Sequence, residues 1–323
     1  MRLDRLYVLL SAALITFSVT SCKKQRLHFN DVVKLDSHGT DRYNAIYFKG
    51  NDGFVVGGNR FDNTSILVSH DAGATWEKKD FPEAGKALYG ITETPGGNIV
   101  ACGYDGKMLT TTDNGYNWRF SQISNWQSYK DLAFLDDNHA IGISGNSFNS
   151  GGISYFDAYG AVDHWDSTDV EYNDIEMRDA YTGYIAGYGT MLKTTDGGKN
   201  WNVLNVVNDD FNGISILNAA EMWICGSNGS IFHSADAGAT WDKQRNGNSL
   251  TEKKYYLHDI LFIDQNNGWA VGDKGVVIYS SDGGKKWKEY EHFTDDPLRS
   301  ICQLPDGNLI VCGDNGALYK LVR

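Results

Sequence analysis

The sequence predicts an all-β protein, a seven-bladed β-propeller of four-stranded antiparallel meanders whose ring is closed by an N-terminal strand. Three observations carry this prediction. An eight-residue pattern, Ser/Thr-x-Asp-x-Gly-x-x-Trp, occurs five times. An aliphatic residue followed twelve positions later by a small residue occurs seven times. Glycine is frequent, with 36 residues, and proline is rare, with four, as expected for turn-rich meanders whose inner strands exclude proline. Such periods are typical of repeat architectures.

The eight-residue pattern is predicted to close the turn between the third and fourth strands of a unit, and we call it the turn clamp. Its Ser/Thr and Asp oxygens accept hydrogen bonds from nearby backbone N–H groups. Its glycine permits positive φ, and its tryptophan opens the next strand and covers the turn. The ligand series of a calcium loop is absent, so we expect no metal site. The clamp aspartates are Asp71, Asp113, Asp196, Asp236 and Asp282.

The second pattern marks the first hairpin of each unit. Between Ile260 and Gly272 an apolar strand is followed by a turn rich in Asp and Asn and by a second apolar strand. Residues 272–275 then form a tight turn of the kind that joins antiparallel strands. A third strand, the clamp and a fourth strand complete the meander. The seven units are marked by Ile46, Ile91, Leu132, Ile175, Ile214, Ile260 and Ile301.

The two ends of the chain are predicted to meet in one sheet. The last unit supplies three strands before Arg323, whereas residues 27–35 form an alternating segment before the first unit. Pairing these segments would close the ring and remove an exposed sheet edge. A closed propeller of this size is one domain, which we predict to span residues 27–323.

The N-terminus is predicted to carry a lipoprotein signal peptide, residues 1–21. Arg2 and Arg5 precede the apolar run 6–19, which is too short to span a bilayer and lies where a secretory signal belongs. The run ends in Thr20-Ser21-Cys22, which resembles a bacterial lipobox, so Cys22 is the expected lipidation site. Residues 22–26 would form the lipid-anchored tether. The expected location is extracytoplasmic, at the outer membrane of a Gram-negative bacterium, with the periplasmic and cell-surface sides left open.

Composition restricts the partners. The 323-residue chain has a formal net charge of −12, and because phosphate contacts need clustered Lys and Arg, nucleic acid is not an expected partner. Motifs for a metal, a phosphate or a catalytic nucleophile are absent, so we assign no cofactor and no catalytic residue. Cys102, Cys225 and Cys312 occupy one small strand position, typical of packing residues. Cys302 lies on the strand beside Cys312, and whether the two pair stays open.

The repeats resemble those of a known family. Residues 268–287, together with 184–201 and 222–241, are similar to the repeat of the photosystem II stability/assembly-factor family of propellers. The resemblance covers nearly all of residues 40–323 and implies a non-enzymatic propeller. The clamp also resembles the Asp-box of sialidases and sortilin-type receptors. The Arg-Ile-Pro segment that sialidases add is absent from this sequence.

The candidate site lies where the inner strands begin, at the mouth of the central channel. The connection into each inner strand and the turn after each repeat glycine share this face, and the clamps lie on the other. Two of these turns are long, 59–65 and 145–152, and loops at such a face often carry function. The residues two positions before each repeat aliphatic residue enter this face: Asn44, Tyr89, Lys130, Asn173, Asn212, His258 and Arg299.

These residues predict a binding or assembly module, expected to be a monomer, that binds a protein segment or a glycan at the channel mouth. The alternative is a glycoside hydrolase or lyase, sialidase-like or glucan-acting, with an acid pair in the propeller basin. Paired acids facing one deep pocket would favour the enzyme, and a shallow basin of mixed charge would favour binding.

Overall fold

The computed structural model describes residues 26–147, 149–206, 209–250 and 253–323 and forms seven four-stranded antiparallel sheets, as the sequence predicts. Each sheet is one blade of a propeller. Blades 1 to 3 consist of β2 (Tyr43–Lys49), β3 (Asp52–Gly57), β4 (Ser65–Ser69) and β5 (Glu77–Lys79); β6 (Leu88–Glu93), β7 (Ile99–Gly103), β8 (Lys107–Thr111) and β9 (Arg119–Gln122); and β10 (Tyr129–Phe134), β11 (His139–Ser147), β12 (Ser150–Asp157) and β13 (Val162–Thr168).

Blades 4 to 7 continue the same order, with the first strand innermost. They consist of β14 (Tyr172–Met177), β15 (Gly183–Gly187), β16 (Thr190–Thr194) and β17 (Asn202–Val203); β18 (Phe211–Ile216), β19 (Met222–Gly226), β20 (Ile231–Ser234) and β21 (Asp242–Arg245); β22 (Leu257–Phe262), β23 (Gly268–Gly272), β24 (Val277–Ser280) and β25 (Lys288–Glu289); and β26 (Leu298–Gln303), β27 (Leu309–Gly313) and β28 (Leu318–Val322) with β1 (Asp31–Lys34).

The N-terminal strand closes the ring, as predicted. β1 pairs antiparallel with β28, with Asp31 opposite Val322 and Lys34 opposite Tyr319. The segment predicted as one strand over 27–35 is nevertheless divided. Leu27 forms a parallel bridge with Tyr290, beside the outer strand of blade 6, so the N-terminal segment joins two blades rather than one.

The core lies between neighbouring blades, because each of the seven hydrophobic clusters draws residues from two adjacent sheets. The second strands are buried along almost their whole length, which explains their small and aliphatic residues. Cys102, Cys225 and Cys312 are fully buried there, and Cys302 is half-buried. All four are free thiols, so Cys302 and Cys312 do not pair in this structure.

The turn clamps have the hydrogen bonds that their residue types predict. In blade 6 the Ser280 hydroxyl donates to Asp282 Oδ1 at 2.9 Å and accepts the Gly284 N–H at 2.8 Å. Asp282 Oδ1 also accepts the Lys286 N–H at 2.9 Å. The residue before the clamp glycine adopts positive φ as well, 57° at Ala72. In the part of the chain that the structure describes, no helix has the length and apolarity of a membrane span.

Candidate channel-mouth site

Every inner strand contains a β-bulge at its second residue. In blade 1, Tyr43 faces Gly57 and Ala45 faces Val56, so Asn44 is left without a partner in the register. The same shift occurs at the start of β6, β10, β14, β18, β22 and β26. A bulge inserts one residue and re-aims its side chain. The seven bulged residues are Asn44, Tyr89, Lys130, Asn173, Asn212, His258 and Arg299.

All seven bulged residues line one cavity of about 320 Å³ at the channel mouth. The structure therefore brings every residue of the predicted binding set to one place, and that they bind a ligand stays a prediction. A side cavity of about 190 Å³ adjoins it between blades 1 and 3. Arg60 and Asn146 reach this side cavity from the two long turns. The second of these turns, predicted over 145–152, is mostly strand, because β11 continues to Ser147 and β12 begins at Ser150.

The three asparagines of the set connect the blades. Asn44 Nδ2 donates to the Leu88 carbonyl at 2.7 Å, Asn173 Nδ2 to the Phe211 carbonyl at 2.9 Å and Asn212 Nδ2 to the Leu257 carbonyl at 2.7 Å. Each acceptor is the carbonyl of the first residue of the next inner strand. Removing such a donor would leave a backbone carbonyl without its hydrogen bond and would lower the stability of the fold. These amides therefore connect neighbouring blades as well as lining the channel mouth.

The other four side chains give the mouth a mixed charge. Arg299 makes a two-pronged ion pair with Asp314, at 2.5 and 2.8 Å. Lys130 Nζ lies 3.0 Å from a Glu171 carboxylate oxygen and 5.3 Å from the centre of the Tyr89 ring. His258 Nε2 lies 2.7 Å from Asp273 Oδ1, and burial lowers the pKa of His258. The mouth thus presents cations, carboxylates and an aromatic face together.

Beneath the mouth lies a set of buried carboxylates that the sequence analysis missed. Asp174 Oδ2 accepts the Ile214 N–H at 2.6 Å, Asp259 Oδ2 accepts the Ile301 N–H at 2.9 Å and Glu176 Oε2 accepts the Ile216 N–H at 3.1 Å. Asp131 Oδ2 makes a longer contact of 3.5 Å with the Ile175 N–H. Each acid therefore binds the inner strand of the next blade. The available signal was an Asp directly before the repeat Leu or Ile in blades 3, 4 and 6.

The surroundings of these carboxyl groups raise their pKa values. Burial raises the pKa of Asp131 to about 7 and that of Asp259 to about 6. Burial, together with neighbouring carboxylates, raises the pKa of Asp174 and Glu176 well above the ordinary range. The neighbouring charge of Asp131 contributes to the raised pKa of Asp174, because two nearby carboxylates disfavour each other's ionised form.

The acid pair in the basin bears on the hydrolase alternative. Two glycosidase carboxyl groups stand about 5–5.5 Å or about 6.5–9.5 Å apart, so that the glycosidic bond fits between them. Asp131 and Asp174 are neighbours that perturb each other's pKa, and each carboxyl group faces a backbone N–H of the next inner strand. A pair engaged with the protein backbone in this way differs from the open, separated acids of a glycosidase, so this pair does not itself support glycoside hydrolysis.

Comparison with known proteins agrees with this architecture. Residues 159–255 match the family model described as photosynthesis system II assembly factor YCF48. The chain is 23% identical over 254 residues to the chloroplastic photosystem II stability/assembly factor HCF136 of Arabidopsis thaliana. That match spans 69% of this chain and 60% of that protein. The resemblance to this family that the repeats predict is confirmed.

Solved structures share the fold. YCF48 from Cyanidioschyzon merolae is 18% identical with a TM-score of 0.70, covering 90% of this chain and 98% of that one. A structure of YCF48 bound to D1 peptide is also 18% identical with a TM-score of 0.70, covering 92% and 99%. The WD40 propeller domain of Doa1 is 12% identical with a TM-score of 0.66, covering 91% and 95%. At these identities the likeness shows the fold alone.

Proposed function

We propose that this protein is a non-enzymatic, lipid-anchored extracytoplasmic module that captures a protein segment at its channel mouth. The observation that carries the proposal is the ring of seven bulges, which directs one side chain from each blade into a single basin. The other four bulged residues are not asparagines: Tyr89, Lys130, His258 and Arg299. They supply the aromatic and charged groups that dominate binding energy in protein interfaces.

The mixed charge of the basin suits a peptide. Arg299 and Lys130 can receive acidic side chains, whereas Glu171 and Asp210 can receive basic ones, and the amides can pair with peptide backbone groups. The family match supports this assignment, since the related YCF48 has a solved structure with a D1 peptide. A glycan would use the same amides and the Tyr89 face, and it is the second ligand class to test.

The test is a selection of binding peptides from a random displayed library, followed by titration against the folded protein and a parallel glycan array. Replacing both Tyr89 and Arg299 by Ala is expected to weaken peptide binding at least tenfold, because central aromatic and Arg contacts each contribute roughly 2 kcal/mol or more. A modest fall in melting temperature is expected, because Arg299→Ala also removes the ion pair with Asp314, so affinities are compared at a temperature where both proteins are folded.

The matched control replaces Tyr116 and Lys199 by Ala, one exposed aromatic and one exposed cation in the turn clamps on the opposite face. This control should bind like the parent. Equal affinity of the parent and the Tyr89/Arg299 variant would show that the peptide does not bind at the channel mouth. Binding of glycans but of no peptide would show that the ligand is a glycan.

A further inference from the structure

A second concave surface runs along the side of the ring, between blades 5 and 6. Two adjoining cavities of about 620 and 250 Å³ share Lys253, Tyr255 and Glu289 in their walls. We call the surface that they form together the lateral groove. Among the residues that the structure describes, six cationic side chains line this groove. Five of them are exposed lysines: Lys253, Lys254, Lys274, Lys285 and Lys286.

The carboxylates of the lateral groove already have partners. Asp273 bonds His258 at 2.7 Å and Asp295 bonds His292 at 2.8 Å, and Glu289 bonds Lys253 at 2.8 Å. By contrast, no carboxylate of the described residues lies within 4.0 Å of the charged groups of the other four lysines of the groove: Lys254, Lys274, Lys285 and Lys286. An acidic protein of net charge −12 therefore carries a local cationic surface here.

The N-terminal segment enters the structure beside this groove. The Leu27 N–H donates to the Glu289 carbonyl at 3.0 Å, and the Leu27 carbonyl accepts the Glu291 N–H at 2.7 Å. Arg26 lies 3.5 Å from the Glu289 carboxylate, which lines both cavities. The Phe29 ring stacks on Tyr290 with 3.8 Å between ring centres. The chain is thus held to blade 6 from its first described residues.

The short tether places a constraint on distance. Four residue steps separate Cys22 from Arg26, and an extended chain spans at most about 3.5 Å per residue. A lipid on Cys22 would therefore hold the Arg26 backbone within about 14 Å of the membrane surface. The potential of anionic lipids falls off over a Debye length of about 8–10 Å. Because about 14 Å is the longest reach of the tether, the lateral groove can approach the membrane surface to within this range.

We propose that the lateral groove is a membrane-docking surface that receives anionic phospholipid headgroups, and this proposal rests on the lipid anchor in the proposed function. The tether brings the lateral groove to the bilayer, and the lysines of the groove bind the headgroup phosphates. Docking through the side of the ring leaves the channel mouth facing along the membrane rather than into it. The basin then stays open to a segment of a neighbouring membrane protein.

The experiment uses the full chain, purified from membranes and reconstituted into phosphatidylcholine vesicles or into vesicles with roughly 30% phosphatidylglycerol. Brief acetylation followed by mass spectrometry reports the exposure of each lysine. We expect Lys254, Lys285 and Lys286 to react about threefold or more slowly on the anionic vesicles. This protection should disappear at about 0.5 M salt, where screening shortens the reach of the lipid charge.

Lys199 supplies the matched control, because it occupies in the clamp of blade 4 the position that Lys285 occupies in blade 6. Its reactivity should not change between vesicle types, and Lys285→Glu should lower the protection of Lys254 whereas Lys199→Glu should not. Vesicle-bound protein with equal labelling on both lipids, or with Lys199 protected to the same degree, would overturn the docking surface and leave the anchor intact. Binding to the vesicles is measured by flotation. If neither the parent nor Cys22→Ala floats with either kind of vesicle, both the anchor and the docking surface are overturned.

Discussion

One extra residue per inner strand determines what the channel mouth displays. The bulged residue has no partner in the strand ladder, so its side chain varies between blades without changing the register of the sheet. Three blades place an amide there that binds the next blade, and the others place Tyr89, Lys130, His258 and Arg299. The residue positions were predictable from the Ile–Gly spacing. The bulges themselves were not, because the spacing is the same in every unit and gives no sign of an extra residue.

Ser280 tests the clamp at the level of one side chain. It is 1% exposed and accepts the Gly284 N–H, so Ser280→Ala leaves a buried donor unsatisfied. We expect the free energy of unfolding to fall by roughly 1–3 kcal/mol, measured by urea denaturation. The neighbouring Ser281 is exposed, and Ser281→Ala should change stability by less than about 0.5 kcal/mol. Equal effects of the two substitutions would contradict the clamp hydrogen bonds.

The closing strand is the element that sequence reasoning reached by elimination. Three strands at one end of the chain and one at the other predicted the pairing of β1 with β28, and the structure confirms it. The division of that segment was not predictable, because the contact of Leu27 with blade 6 depends on how near two blades lie in space. Tertiary contacts of this kind leave no periodic signal in the sequence.

Phe29 tests the connection between blades 6 and 7. Its ring stacks on Tyr290 and packs edge-on against Phe293. We expect Phe29→Ala to destabilise the protein by about 2–4 kcal/mol through lost burial and stacking, with a lower thermal melting temperature. Val33, on β1 itself, is 38% exposed, and Val33→Ala should cost less than about 1 kcal/mol. If the two variants have the same melting temperature, the contacts of the segment before β1 add no stability.

The whole molecule carries two sets of acids with opposite effects on its pH dependence. Hydrogen bonds from Thr75 and Thr240 lower the pKa of the clamp acids Asp71 and Asp236, so their contribution to stability is lost in strong acid. Burial raises the pKa of Asp131, Asp174, Glu176 and Asp259. Their contribution is complete below the unfolded-state pKa of about 4. It is lost as the pH rises through the raised pKa values, which are about 6 for Asp259 and about 7 for Asp131.

We therefore expect the melting temperature to be highest near pH 5 and to fall by several degrees at pH 8. Asp174→Asn should flatten this dependence, because the amide can donate to Asp131 and accept the Ile214 N–H without a titrating proton. Melting temperatures recorded from pH 4.5 to 8.5 for both proteins check this. A variant with the slope of the parent would show that the pH dependence arises elsewhere.

The proposed anchor also belongs to the scale of the whole molecule, and it depends on residues outside those that the structure describes. Cys22 follows the apolar run directly, and so Cys22→Ala is expected to release the protein from the membrane fraction or to block its processing. Fractionation followed by immunoblotting measures both. Normal processing with undiminished membrane retention would exclude the lipobox interpretation.

The pairing of the first strand with the last has a consequence for how the protein is made. Blade 7 cannot be completed until almost the whole chain has been synthesised, since Asp31 must find Val322. Six blades can form in order as the chain emerges, whereas the seventh needs a contact between distant segments, which is slow because a long loop must first close. During that delay β28 presents an unpaired edge, which is a hazard for aggregation. The pairing of β1 with β28 is therefore expected to be the last step in the folding of the ring.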